Sequence, residues 1–105
     1  MKGALEKGSR WRRQVHLWLL DAGFTVMRRE HYETGDDLQA TMPGLSLSIE
    51  AKNHRELAIA AFVDQAERQA NGNQIPVVFA HRRGKPDVDN CYVIMTGRAF
   101  RQLIQ

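Results

Sequence analysis

The chain has 105 residues, 43% hydrophobic and 26% charged, a balance that fits one compact soluble domain and is too apolar for disorder. Its formal net charge of +3 is a mild excess of base. No apolar run approaches a bilayer span, no apolar segment follows Met1-Lys2 as in a secretory signal, and the single Cys91 excludes an internal disulfide or a cysteine-based zinc cluster. A single domain over residues 1–105 is expected, in a reducing, cytoplasmic setting and away from membranes.

Trp11, Val15, Trp18, Leu19 and Ala22 recur at helical spacing, which predicts an amphipathic helix from about Leu5 to Ala22 with Gly23 as its stop. Phe24 to His31 reads as a strand, Thr34-Gly35-Asp36 as a turn, and Asp37 to Thr41 as a short second strand closed by the Pro43-Gly44 turn. Leu45, Leu47, Ile49 and Ala51 then alternate with Ser46, Ser48, Glu50 and Lys52, a clean period of two. One face of that strand is apolar; the other carries two serines, a carboxylate and an ammonium. Leu57 to Ala70 is a predicted helix with Ile59, Phe62, Val63, Ala66 and Ala70 as its buried stripe. The continuous run Ile75 to Ala80 suits a strand buried on both faces, and a basic loop through Arg82-Arg83-Gly84-Lys85 follows. Cys91 to Met95 is a further strand, and Gly97 to Leu103 a closing helix. The pattern is that of an α/β fold, a mixed central β-sheet flanked by helices in the order α-β-β-β-α-β-β-α.

Positive charge gathers at Lys2, Lys7, Arg10, Arg12 and Arg13, again at Arg28, Arg29 and His31, and again at His81, Arg82, Arg83 and Lys85. Such clusters are either solvated faces or a track for a phosphate backbone. Glu50 and Lys52, two apart on a strand, share a face with α-carbons about 7 Å apart. The neighbouring antiparallel strand bears Asp37. Two carboxylates and a main-chain carbonyl suit Mg²⁺, a hard cation that prefers oxygen. A lysine beside it can orient an attacking water or meet developing negative charge. The Glu-x-Lys tripeptide alone is common, and on an edge strand it is a solvated pair.

Its surroundings make it more specific. Gly35-Asp36-Asp37-Leu38, the Pro43-Gly44 turn, an apolar strand ending in Glu50-Ala51-Lys52-Asn53-His54, and an alanine-rich helix containing Asp64-Gln65-Ala66-Glu67 resemble the PD-(D/E)xK nuclease superfamily. With Lys7-Gly8 ahead of a basic helix that closes on Ala22-Gly23-Phe24, and Tyr92-Val93-Ile94-Met95 before a last helix, the chain looks most like the compact Holliday junction resolvase-like nucleases of bacteriophages. The resemblance covers nearly the whole chain. It implies a restriction-endonuclease-like core and metal-dependent hydrolysis of DNA, branched DNA included. It further implies Mg²⁺, with Mn²⁺ as substitute, held by Asp37, Glu50 and the Ala51 carbonyl, and a catalytic Lys52. Two symmetric cuts imply a homodimer, with Trp18 and Phe62 on offer for the contact. Asp36 is the competing first ligand. Gln65 is either catalytic support or an exposed helix residue. Relatives commonly carry a glutamate on the first helix, where this chain reads Arg10-Trp11-Arg12-Arg13-Gln14; Glu6, about a turn and a half earlier, or a water is the expected substitute as catalytic support.

Lys7, Arg10, Arg12, Arg13, His54, Arg82, Arg83 and Lys85 are the expected DNA contacts. The four histidines show no metal-like spacing, and no nucleophile elbow surrounds Ser46 or Ser48. Two other readings stay open: a nuclease-fold DNA-binding module without catalysis, consistent with the missing helix-one glutamate, and a restriction-type nuclease.

Overall fold

The computed structural model describes residues 2–28 and 37–105, with the backbone alone for residues 2–6 and Asp37. It is an α/β fold: α1 (Lys2–Asp21), β1 (Thr25–Arg28), β2 (Asp37–Met42), β3 (Leu45–Lys52), α2 (Ile59–Gln69), β4 (Ile75–Ala80), β5 (Tyr92–Ile94) and α3 (Gly97–Ile104), with a 3-10 turn at Val88–Asn90. The five strands form one mixed sheet in the order β1-β2-β3-β4-β5. β3 and β4 run parallel through the α2 crossover, and the other neighbours are antiparallel. No described helix is long and apolar enough to cross a membrane.

Local chemistry sets the element ends. The α1 helix stops where Gly23 takes φ 100°, with Gly23 N–H donating to the Leu20 carbonyl and Phe24 N–H to the Leu19 carbonyl, each at 3.0 Å. This is the six-to-one, five-to-two closure that a left-handed glycine permits. Gly44, at φ 79°, turns β2 into β3. At the other end of the chain, the Thr96 hydroxyl caps α3 by accepting from Ala99 N–H at 3.1 Å.

Alternation along the strands sorts the core. Leu47, Ile49 and Ala51 of β3 and Ile75, Val77 and Phe79 of β4 meet Trp11, Val15 and Leu19 of α1 on one face, with Ala99 of α3 beside them. On the other face Val78 and Ala80 meet Phe62 and Ala66 of α2. β4 is therefore buried on both sides, as its unbroken apolar run requires.

The first strand, expected from Phe24 to His31, is described over Thr25–Arg28, and residues 29–31 lie outside the described residues. Two expectations change. The polar side of β3 is not open: α2 covers it, so Ser48 and Glu50 are each 1% exposed, and β3 is the central strand rather than an edge. Ile59 does not belong to the buried stripe. It stands at the first turn of α2 beside the edge strand β5 and is exposed. Trp18 is half-buried and its Nε1–H donates to Asp89 at 2.7 Å, and Phe62 is buried between α2 and the sheet.

Trp11 ties α1 to the sheet. Its ring is buried and its Nε1–H donates to the Phe79 carbonyl at 3.0 Å. Trp11→Phe keeps most of the apolar volume and removes that donor, so it should cost about 1–3 kcal/mol. A urea unfolding curve measures this, and an unchanged midpoint would show that the bond does not hold the helix.

Candidate functional site

The site lies at the carboxyl ends of β3 and β4. The parallel register sets Lys52 opposite Ala80, and the ladder continues as His81 N–H donates to the Lys52 carbonyl at 2.8 Å. The segments leaving both strands therefore start side by side, the usual location of a ligand crevice in a sheet containing parallel strands.

On the α2 face, Glu50 and Lys52 come together as alternation dictates, with Lys52 Nζ 3.4 Å from Glu50 Oε1. Lys52 also lies over Phe62, its ammonium 5.5 Å from the ring centroid. The His54 ring meets the same Phe62 edge-on at 5.0 Å. Gln65 is half-buried, three residues on from Phe62 along α2. Asp37 stands directly opposite Glu50 in the β2–β3 register, so the two positions share this face. The Asp37 side chain, Asp36, and the Glu6 side chain lie outside the described residues. The Lys52 carbonyl faces β4, and alternation turns the Ala51 carbonyl toward β2, whose described residues begin at Asp37. Among the described residues no group of three His, Cys, Asp or Glu side chains could hold a metal ion.

On the α1 side of the same strand ends is a cleft of about 300 Å³ lined by Lys7, Asn53, His54, Arg55, His81 and Arg83. A smaller hollow of about 140 Å³ adjoins it, sharing Lys7, Asn53 and His81 and adding Arg10, Trp11, Gln14 and Pro86. Among the described residues no carboxylate lines either one. Lys7, Arg10 and Gln14 recur at three- and four-residue steps, and so present one side of α1 to the cleft.

The expected DNA contacts divide. Lys7, Arg10, His54 and Arg83 converge on the cleft and its hollow. Arg12 and Arg13 fall on other sides of α1 by helical spacing. Arg82 turns away to lie over Tyr92, 5.3 Å from the ring centroid, and Lys85 pairs with Arg82 through the backbone in an exposed turn. The sequence reading missed Arg55 and Asn53 as site residues, and left His81 as one charge in a basic loop. Only the parallel pairing of two strands far apart in sequence brings these groups together.

The cleft sets its own electrostatics. Burial, and then the Lys7 charge, push the His81 imidazole below its ordinary value of 6.5. Its ring is fixed by an edge-to-face contact with Trp11 at 4.9 Å. Cys91 is different: burial and then Asp89 raise its thiol to about 11, so it stays protonated at neutral pH and is no nucleophile.

Because folding lowers the His81 value, the neutral ring contributes stability that is present above 6.5 and lost as pH falls through the lowered value. An NMR titration should place the His81 midpoint below 6.5, and Lys7→Ala should move it part of the way back. A midpoint at or above 6.5 would contradict this account of the cleft. Comparison with known proteins finds no match to this chain among family models, curated proteins or solved structures.

Proposed function

We propose that this chain is a metal-dependent DNA endonuclease, with Asp37, Glu50 and Lys52 as its cutting residues and the basic residues around the cleft as its electrostatic attraction for the phosphate backbone. The observation that carries this reading is the register of Asp37 opposite Glu50, with Lys52 ion-paired to Glu50 at 3.4 Å, at the strand ends beside the cleft. The sequence resemblance to the PD-(D/E)xK nucleases points the same way, and through it to branched DNA and a homodimer. A cytoplasmic setting follows from such a substrate.

The donors fit a divalent cation. Glu50 brings carboxylate oxygens, position 37 a second carboxylate on the same face, and Ala51 a carbonyl turned toward β2. This all-oxygen set is the kind Mg²⁺ or Mn²⁺ accepts. When bound, the ion supplies an acidified water and positive charge beside the phosphate. Glu50 holds the Lys52 ammonium in place, and Phe62 lies beneath it. That ammonium donates to the attacking water or to a phosphate oxygen that gains charge in the transition state. Lys7, Arg10, Arg55 and Arg83 attract the backbone without reading its sequence.

One observation favours a second reading, a DNA-binding module that keeps this fold without cutting. Among the described residues the α1 wall of the cleft carries Lys7, Arg10 and Gln14 and no acid. An extra cation there strengthens binding but ligates no metal.

Cleavage of a labelled four-way junction beside a matched linear duplex, under Mg²⁺, Mn²⁺ or EDTA, separates the readings. The nuclease gives metal-dependent nicks, and Lys52→Ala lowers their rate about a hundredfold or more while DNA affinity persists. Cutting both substrates equally would remove the preference for junctions. Tight binding with no cutting under either metal would overturn the enzyme and leave the binding module.

A further inference from the structure

The cleft on the α1 side carries more charge than a passing phosphodiester supplies. Lys7, Arg55 and Arg83 are basic side chains from three separate segments, and Asn53, His54 and His81 complete the lining. Among the described residues no carboxylate offsets them. The space is concave and about 300 Å³, the scale of one small ligand rather than a duplex. A duplex arm meets a surface, whereas a group at the end of a strand can enter a pocket of this size. A diester brings one negative charge to such a pocket. A terminal phosphate monoester brings about −1.5 to −2 at neutral pH, and three oxygens that accept strong hydrogen bonds.

We propose that this cleft binds a phosphate monoester dianion, presented as the terminal phosphate of a nucleic-acid strand. Lys7 and the two guanidinium groups neutralise it, and Asn53 and His81 supply further donors. His81 keeps its place because its ring rests edge-on against Trp11, itself anchored to the Phe79 carbonyl. Only the strand that carries the phosphate rests on the nucleic-acid reading above; the pocket's charge does not.

The test is equilibrium binding of the full chain in EDTA to internally labelled single strands bearing a 5′-phosphate, a 3′-phosphate or hydroxyls at both ends. A phosphorylated end should bind about tenfold tighter than a hydroxyl end. Arg55→Gln with Arg83→Gln should abolish the difference, and Arg98→Gln with Arg101→Gln on α3, an equal loss of charge, should leave it intact. If the cleft double variant does not keep its circular dichroism, Arg83→Gln alone must narrow the difference. Equal affinity for all three strands overturns the proposal. Competition with adenosine monophosphate identifies the source. Failure to displace the phosphorylated strand at matched concentration supports a strand end, and full displacement overturns the strand in favour of a free nucleotide. A chain that prefers phosphorylated ends but cuts nothing keeps this site and loses the nuclease; one that cuts without end preference does the reverse.

Discussion

The parallel pairing of β3 with β4 decides where the candidate functional residues finish. Antiparallel neighbours would set the exit of one strand beside the entry of the other. Here Lys52 lies opposite Ala80, and the His81 amide extends the ladder by donating to the Lys52 carbonyl at 2.8 Å. Both chain segments leave at one place, so residues 53–55 and 81–83 meet although nearly thirty positions separate them. A parallel connection also needs a crossover, and α2 provides it on one face of the sheet. That same helix covers Glu50, while α1 takes the opposite face. One register thus produces both a covered acid and an open basic cleft.

Glu50 is the costly residue in this arrangement. At 1% exposed it gives up most of its hydration, and recovery of that cost depends on its partners, of which the Lys52 ammonium at 3.4 Å is one. A buried ion pair is poor evidence of stabilisation, because apolar residues of similar volume often do as well or better. The surrounding face shows how such a replacement would fit: Val78 and Ala80 on the neighbouring strand already pack against Phe62 and Ala66. Fold stability therefore gives no reason for a carboxylate at position 50, whereas the proposed nuclease chemistry does, with position 37 in register opposite it.

Most of the fold was legible because its signals are local. Period-two alternation fixed β3 at Leu45–Lys52, the unbroken apolar run fixed β4 at Ile75–Ala80, and Gly23 ended α1, each where expected. The same alternation put Glu50 and Lys52 on one face, but could not say that the face was covered. Serines and charges look solvated in a sequence, and only the α2 crossover buries them. Arg55 and Asn53 escaped notice for a related reason. Nothing at either position marks it locally, and their importance comes from Lys7, His81 and Arg83, which tertiary pairing brings near. Arg82 and Arg83 make the converse case: adjacent in sequence and alike in chemistry, one lies over Tyr92 and the other lines the cleft.

The two halves of the site stand on opposite faces of a single strand, and this limits how they act together. Lys52 belongs to the α2 face and Asn53, the next residue, lines the cleft with Lys7 of α1. A ligand that touches both must pass over the end of β3 rather than lie along one side of the sheet. His54 is placed at that crossing. It lines the cleft, yet its ring packs at 5.0 Å on the Phe62 ring over which the Lys52 ammonium sits. Phe62 is buried and fixed by α2, so a displacement of His54 by an occupant of the cleft bears on the same rigid surface that supports Lys52. Contact between the halves is thus made through packing around one aromatic ring, while the strand itself keeps their charges apart.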